Sequence, residues 1–126
     1  MIKDELRSKT PEQLFTLFWE AARKGHFALG PAEYNRSVDR IHAIVAEIKS
    51  RTPDARHLLL PLLQDKIETV RYVAATHLLE IDAARAVAVL TDLRENGKTD
   101  VASFAYLDLD EWQNTKSADG AQAPEP

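Results

Sequence analysis

Cysteine is absent from the chain, which excludes disulfides, thiolate metal sites, Fe–S clusters and a cysteine nucleophile. Glycine is scarce, with four among 126 residues, and no stretch sustains apolar–polar alternation, so a β-rich fold with its many turns is not expected. No apolar run approaches the ~18–20 residues that cross a bilayer. The opening Met1-Ile2-Lys3-Asp4-Glu5 is charged and lacks the apolar stretch of a secretory signal, so the expected setting is cytoplasmic. Phosphate loops, nucleophile elbows, zinc-protease helices and calcium loops are also missing. Ser8, Ser37, Ser50, Ser103 and Ser117 have no base beside them in sequence, and neither catalysis nor a cofactor is expected.

What is there is a globular composition, 44% hydrophobic and 29% charged, of one domain's length. Sixteen Lys and Arg face twenty Asp and Glu, a net charge of −4; general nucleic-acid affinity, which needs a strongly basic face, is not expected. The charge is uneven. Residues 1–52 carry nine basic and seven acidic side chains, whereas residues 99–126 carry Lys116 against Asp100, Asp108, Asp110, Glu111, Asp119 and Glu125. Residues 115–126 contain no bulky apolar side chain, so the expected division is one domain over 1–114 and a disordered tail over 115–126.

Periodicity and capping signals predict about six helices. Thr10-Pro11-Glu12-Gln13 combines an N-cap, a proline at the first helical position and a glutamine that closes a capping box; the helix should run to about Lys24 and stop at Gly25. A second, from Gly30-Pro31 to about Arg51, carries the stripe Tyr34, Val38, Ile41, Val45 and Ile48. A short third helix, opened by Thr52-Pro53-Asp54, holds Leu58 to Leu63 and is interrupted by Pro61. The last three cover about Ile67–Ile81, Asp82–Asn96 and Asp100–Gln113. In the sixth, Phe104, Leu109 and Trp112 are expected inside.

An internal repeat underlies the second half. A shift of 30 residues places Leu59, Leu60 and Leu63 on Val89, Leu90 and Leu93; a shift of 31 then places Val70, Ala74 and Leu78 on Val101, Ala105 and Leu109. Helical pairs of this length bury their apolar faces by stacking on neighbours. Leu59-Leu60-Pro61-Leu62-Leu63-Gln64-Asp65, followed by Val70-Arg71, Ala74-Ala75 and Leu78-Leu79, resembles a HEAT repeat. With Tyr34-Asn35-Arg36 upstream, the chain is also similar to a family of small bacterial HEAT-like proteins of unknown function. The resemblance implies an all-α, right-handed stack of about three antiparallel hairpins, a HEAT-like α-α superhelix. It also implies that Asp65 and Arg71 tie the inter-helix turn. Asn96 and Ala102 stand where the second copy would have that pair, marking a terminal, capping repeat.

Candidate sites follow. In HEAT-like stacks the second helix of each pair lines the partner-binding surface. Tyr72, Thr76 and Leu79, which the 31-residue shift carries onto the last helix with Tyr106 and Asp110, are therefore the expected partner surface. Phe15 and Trp19 share an edge of the very apolar first helix and offer a further seat for a partner or a second copy of the chain. Arg36 and Arg40, one turn apart, form the alternative, a basic patch for nucleic acid. Asp39-x-x-His42 and Asp54-x-x-His57 place a carboxylate and an imidazole on one helical face, but di-metal bundles use Glu in this pattern with further Glu ligands, and no metal is expected. His77 is expected in the core, bonded to a backbone carbonyl, and His26 at a helix C-terminus. The expected function is a non-catalytic protein-interaction module, of adaptor or immunity/antitoxin type, with an unidentified protein partner, no membrane role and a possible homodimer.

Overall fold

The computed structural model describes residues 2–51 and 53–121, and among these the structure is entirely helical. The helices are α1 (Ile2–Arg7), α2 (Pro11–His26), α3 (Pro31–Ser50), a 3₁₀ helix (Arg56–Gln64), α4 (Glu68–Leu78), α5 (Ala83–Asn96) and α6 (Val101–Ala121). None of them is long and apolar enough to cross a membrane. Thr52, expected to cap the third helix, and residues 122–126 of the expected tail lie outside the described residues.

Local sequence explains most boundaries. Thr10 Oγ1 accepts from the Gln13 amide at 3.1 Å and Gln13 Oε1 accepts from the Thr10 amide at 2.8 Å, so two of the donors orphaned at the start of α2 are satisfied reciprocally. Asp82 Oδ1 accepts from the Arg85 amide at 3.2 Å and opens α5. Gly97 ends α5 by close approach: its amide donates to Leu93 O at 2.9 Å, and a Cβ there would lie 2.4 Å from that same oxygen.

Parts of this outline differ from expectation. Gly25 does not stop α2, which continues to His26 and is capped by Phe27. A Cβ at Gly25 would lie 2.7 Å from Ser37 Oγ, so α2 and α3 approach each other closely at this glycine. The third helix is 3₁₀, not α. There the carbonyl clash that proline causes four residues back in an α-helix falls away, and Pro61 forgoes one bond. The last helix extends to Ala121 rather than Gln113. Finally, α1 was not expected; Leu6 anchors it at 1% exposure, and Arg51 donates to the carbonyls of Leu6 and Lys9 at 3.3 and 2.9 Å.

Three neighbouring pairs form, α2 with α3, the 3₁₀ helix with α4, and α5 with α6, and α4 also touches α2, α5 and α6. The first helices of the outer pairs, α2 and α5, both lie against α4. Buried Val70, Ala74, Ala75 and Leu78 give α4 a face of mostly small side chains that admits helices on several sides. Phe18, Ile44, Ile48, Leu59, Leu90 and Leu93 are among the largest side chains of the remaining core, each contributing about 1.5–3 kcal/mol through burial.

The core stripes shift at their ends. On α3 the buried set is Ser37, Ile41, Ile44, Val45 and Ile48, while Tyr34 is 39% exposed, because small Ser37 occupies the crossing at Gly25. Phe104 and Ile81 are likewise exposed; Ile81 falls in the turn after α4 ends at Leu78. Trp112 is half-buried rather than inside.

Candidate functional site

The C-terminal end of α2, the start of α3, α4 and the N-terminal half of α6 surround a depression of about 360 Å³. Its aromatic lining is Tyr34, Tyr72 and Phe104, with His26, Thr69, Thr99 and Asp100 between them. Tyr72 and Phe104 meet with centroids 6.0 Å apart and planes inclined at 45°. His26 Nδ1 and Thr69 Oγ1 are hydrogen-bonded at 2.8 Å, which ties the end of α2 to α4. The His26 ring meets Phe27 edge-on at 4.7 Å, so the aromatic surface continues onto the loop after α2.

Tyr72 reaches past this depression. Its hydroxyl donates a hydrogen bond to Asp108 Oδ2 on α6. Burial and the neighbouring Asp108 carboxylate push the phenol well above its ordinary pKa, so it is a fixed donor at physiological pH. Further along the same α4–α6 groove lies a second hollow, lined by Thr76, Leu79, Asp108, Glu111 and Trp112.

The expected partner surface is thus divided. Tyr72, Thr76 and Leu79 line the α4–α6 groove, whereas Tyr106 and Asp110 line neither hollow. Both are exposed, and each is two positions from the groove residues Phe104 and Asp108, about 200° round the helix. Phe104 and Tyr34, read from sequence as buried stripe residues, are the ones the fold brings to the groove. Their signal was present, an aromatic at the end of an apolar stripe, but the sequence does not show where a neighbouring helix stops covering it.

Asp65 and Arg71 meet at the turn before α4. Arg71 Nη1 donates to Asp65 O at 2.6 Å, while Asp65 Oδ2 accepts from the Ile67 amide at 3.0 Å and Oδ1 from Trp19 Nε1 at 3.0 Å. Trp19 is therefore bonded within the fold, with the Arg23 guanidinium 5.6 Å from its ring centroid, and Phe15 packs partly buried against the core. At the corresponding turn of the second copy, Glu68 of α4 accepts from the amides of Lys98 and Thr99 and the Thr99 hydroxyl at 2.8–3.2 Å.

Arg36 and Arg40 line a cleft of about 480 Å³ between α2 and α3. Lys24 joins them, but Glu20 and Glu33 line the same cleft and Arg40 lies 3.7 Å from Glu5, so its charge is mixed. The Asp-x-x-His pairs do not converge. Asp54 holds the buried Arg56 through contacts at 2.9–3.2 Å, and His42 meets His77 ring to edge at 6.0 Å. Among the described residues no three metal-ligating side chains gather. His77 is flanked by rings, Phe18 at 6.2 Å and His42, in place of the expected backbone carbonyl.

A family model described as "Domain of unknown function (DUF2019)" matches residues 12–112. The chain belongs to that family. Its fold is similar to the crystal structure of the protein RPA1889 from Rhodopseudomonas palustris CGA009, with a TM-score of 0.84 at 24% identity, covering 96% of this chain and 97% of that one. No curated protein matches the chain. The DUF2019 match takes in the whole aromatic depression, from His26 to Phe104, together with the Asp65–Arg71 turn.

Proposed function

We propose that this DUF2019 protein is a non-catalytic, cytoplasmic protein-binding module whose helical pairs stack in a HEAT-like manner, and that it binds through the face around the α4–α6 groove. One observation carries the reading. Large apolar side chains are exposed in and next to the depression: Phe104 at 40% in its lining, and Phe27 at 57% and Leu29 at 95% on the loop that follows His26. Contiguous exposed apolar surface of this kind marks interaction sites, and aromatic anchors dominate binding energy in protein interfaces. An adaptor, or an immunity or antitoxin protein that masks a target, fits a small module with such a face.

The test is the Phe27→Ser/Leu29→Ser double variant, with Tyr106→Ser as a control on the opposite side of α6. Both sites are exposed, so the helical circular dichroism spectrum and urea midpoint should be retained. Recovery of a specific partner from the native host should fall at least about tenfold for the double variant and stay unchanged for the control. Undiminished recovery with the double variant overturns the reading. If the partner is a second copy of this chain, the molecular mass in solution rises with concentration and the double variant abolishes that rise.

A further inference from the structure

We infer that the aromatic depression seats an arginine side chain from a basic segment of the partner; the protein-binding reading supplies the source of that arginine, while the pocket itself supplies the chemistry. Tyr34, Tyr72 and Phe104 line one space, the last two with ring centroids 6.0 Å apart, and Asp100 lies in the same lining. Aromatic faces attract cations within about 6 Å of the ring. A carboxylate at the rim then gives a planar guanidinium a bidentate hydrogen-bonding partner.

Three further features favour a cation over a neutral apolar group. Tyr72 donates its hydroxyl hydrogen to Asp108, and a phenol polarised by a carboxylate has a more electron-rich ring. The local charge is complementary, because the lining holds the Asp100 carboxylate and, among the described residues, no lysine or arginine. His26, the basic group in the lining, is engaged by Thr69 Oγ1. The volume, about 360 Å³, lies at the small end for ligand pockets and suits one long side chain. Guanidinium is preferred over ammonium because it is planar, weakly hydrated and stacks on aromatic rings.

The experiment titrates the isotope-labelled full chain with a five-residue peptide bearing one arginine between glycine and serine residues. Matched peptides carry lysine or neutral citrulline, and free arginine amide is a fourth probe. The arginine peptide should shift the amides of Thr69, Thr99 and Phe104 saturably, with a Kd of about 1–10 mM. Citrulline should weaken binding at least about tenfold, and lysine and free arginine amide should bind more weakly than the arginine peptide. Asp100→Asn should weaken it about three- to tenfold, with an otherwise native spectrum. Phe104→Ala, at an exposed position, should remove saturable binding, and Tyr106→Ala should not.

Equal binding of citrulline overturns the cation assignment, and equal binding of lysine overturns the guanidinium assignment. Free arginine amide binding as tightly as the peptide overturns the partner source in favour of a small organic cation. Shifts confined to Asp110 and Glu111 overturn the pocket altogether. Because Phe27 and Leu29 are untouched here, a failure of these titrations alongside Phe27/Leu29-dependent partner capture rejects the arginine seat and leaves the protein-binding reading intact.

Discussion

The Trp19 indole donates to Asp65 Oδ1 at 3.0 Å, joining α2 to the turn before α4 across 46 residues of sequence. The same carboxylate caps the Ile67 amide at 3.0 Å, so one side chain both forms its turn and fastens that turn to the preceding helical pair. Asp65→Ala removes both acceptors and strands two donors; it should cost about 2–3 kcal/mol. Trp19→Phe loses that one bond and the packing of the pyrrole half of the indole, at about 1–2 kcal/mol. Urea unfolding of the two variants checks this, and an Asp65→Ala cost below about 1 kcal/mol would show that the two bonds contribute little.

Glu68 bonds the corresponding turn one pair later, where the sequence lacks an Asp–Arg pair. Burial raises its carboxyl pKa, but the Lys98 amide, the Thr99 hydroxyl and amide, and the Arg71 charge outweigh that and hold it below its ordinary value. Glu68→Gln sets an amide NH₂ against these donors and should cost about 1–2 kcal/mol near neutral pH. With a depressed folded-state pKa, the carboxylate's stabilisation is present above its unfolded value and lost as pH falls through the folded one. The stabilities of wild type and Glu68→Gln should therefore converge in acid, as thermal unfolding at pH 7 and pH 3 will show.

How far the fold was legible follows from what local sequence can encode. The capping box at Thr10, the Asp82 cap and the Gly97 stop each depend on residues within four positions, and all three stand in the structure as read. Helix α1 has six residues, too few to display a period, and is held by Arg51, far away in the chain. Pro61 announced a disturbance, but whether a leucine-rich run bends or winds as 3₁₀ is decided by its packing on α4. At the site, Tyr72 is legible as a candidate partner-surface residue of the second helix of its pair. Its acceptor, Asp108, stands 36 residues on and outside the 31-residue correspondence, so no spacing rule points to it. Tyr34 and Phe104 were hidden among core residues because periodicity gives the direction of a side chain, not whether a neighbour covers it.

Gly25 and Ser37 form a testable contact between α2 and α3. An alanine at 25 gains about 1 kcal/mol of helix propensity. Its Cβ, however, would sit 2.7 Å from Ser37 Oγ, which must then rotate and lose its 2.6 Å bond to Tyr34 O, a loss of similar size. Gly25→Ala alone should therefore be nearly neutral. In a Ser37→Ala background the same substitution should stabilise by about 0.5–1 kcal/mol. A double-mutant cycle by urea unfolding reads the coupling; no coupling would mean that the helices do not approach this closely.

His77 gives the fold a defined acid sensitivity. Desolvation, followed by the nearby His42 and the Arg56 charge, pushes its pKa down to about 4, while in the unfolded chain it returns to about 6.5. Between these values the unfolded state binds a proton that the folded state refuses, so stability rises with pH across the window. It is complete above about pH 6.5, falls as pH drops toward 4, and falls no further from this source below that. From pH 7 to pH 5 the loss should be up to about 2 kcal/mol. His77→Leu fills the space between Phe18 and His42 without a titrating group, and its unfolding free energy should be flat over the same interval apart from what other groups contribute. Parallel pH dependences for the two proteins would place the acid sensitivity elsewhere.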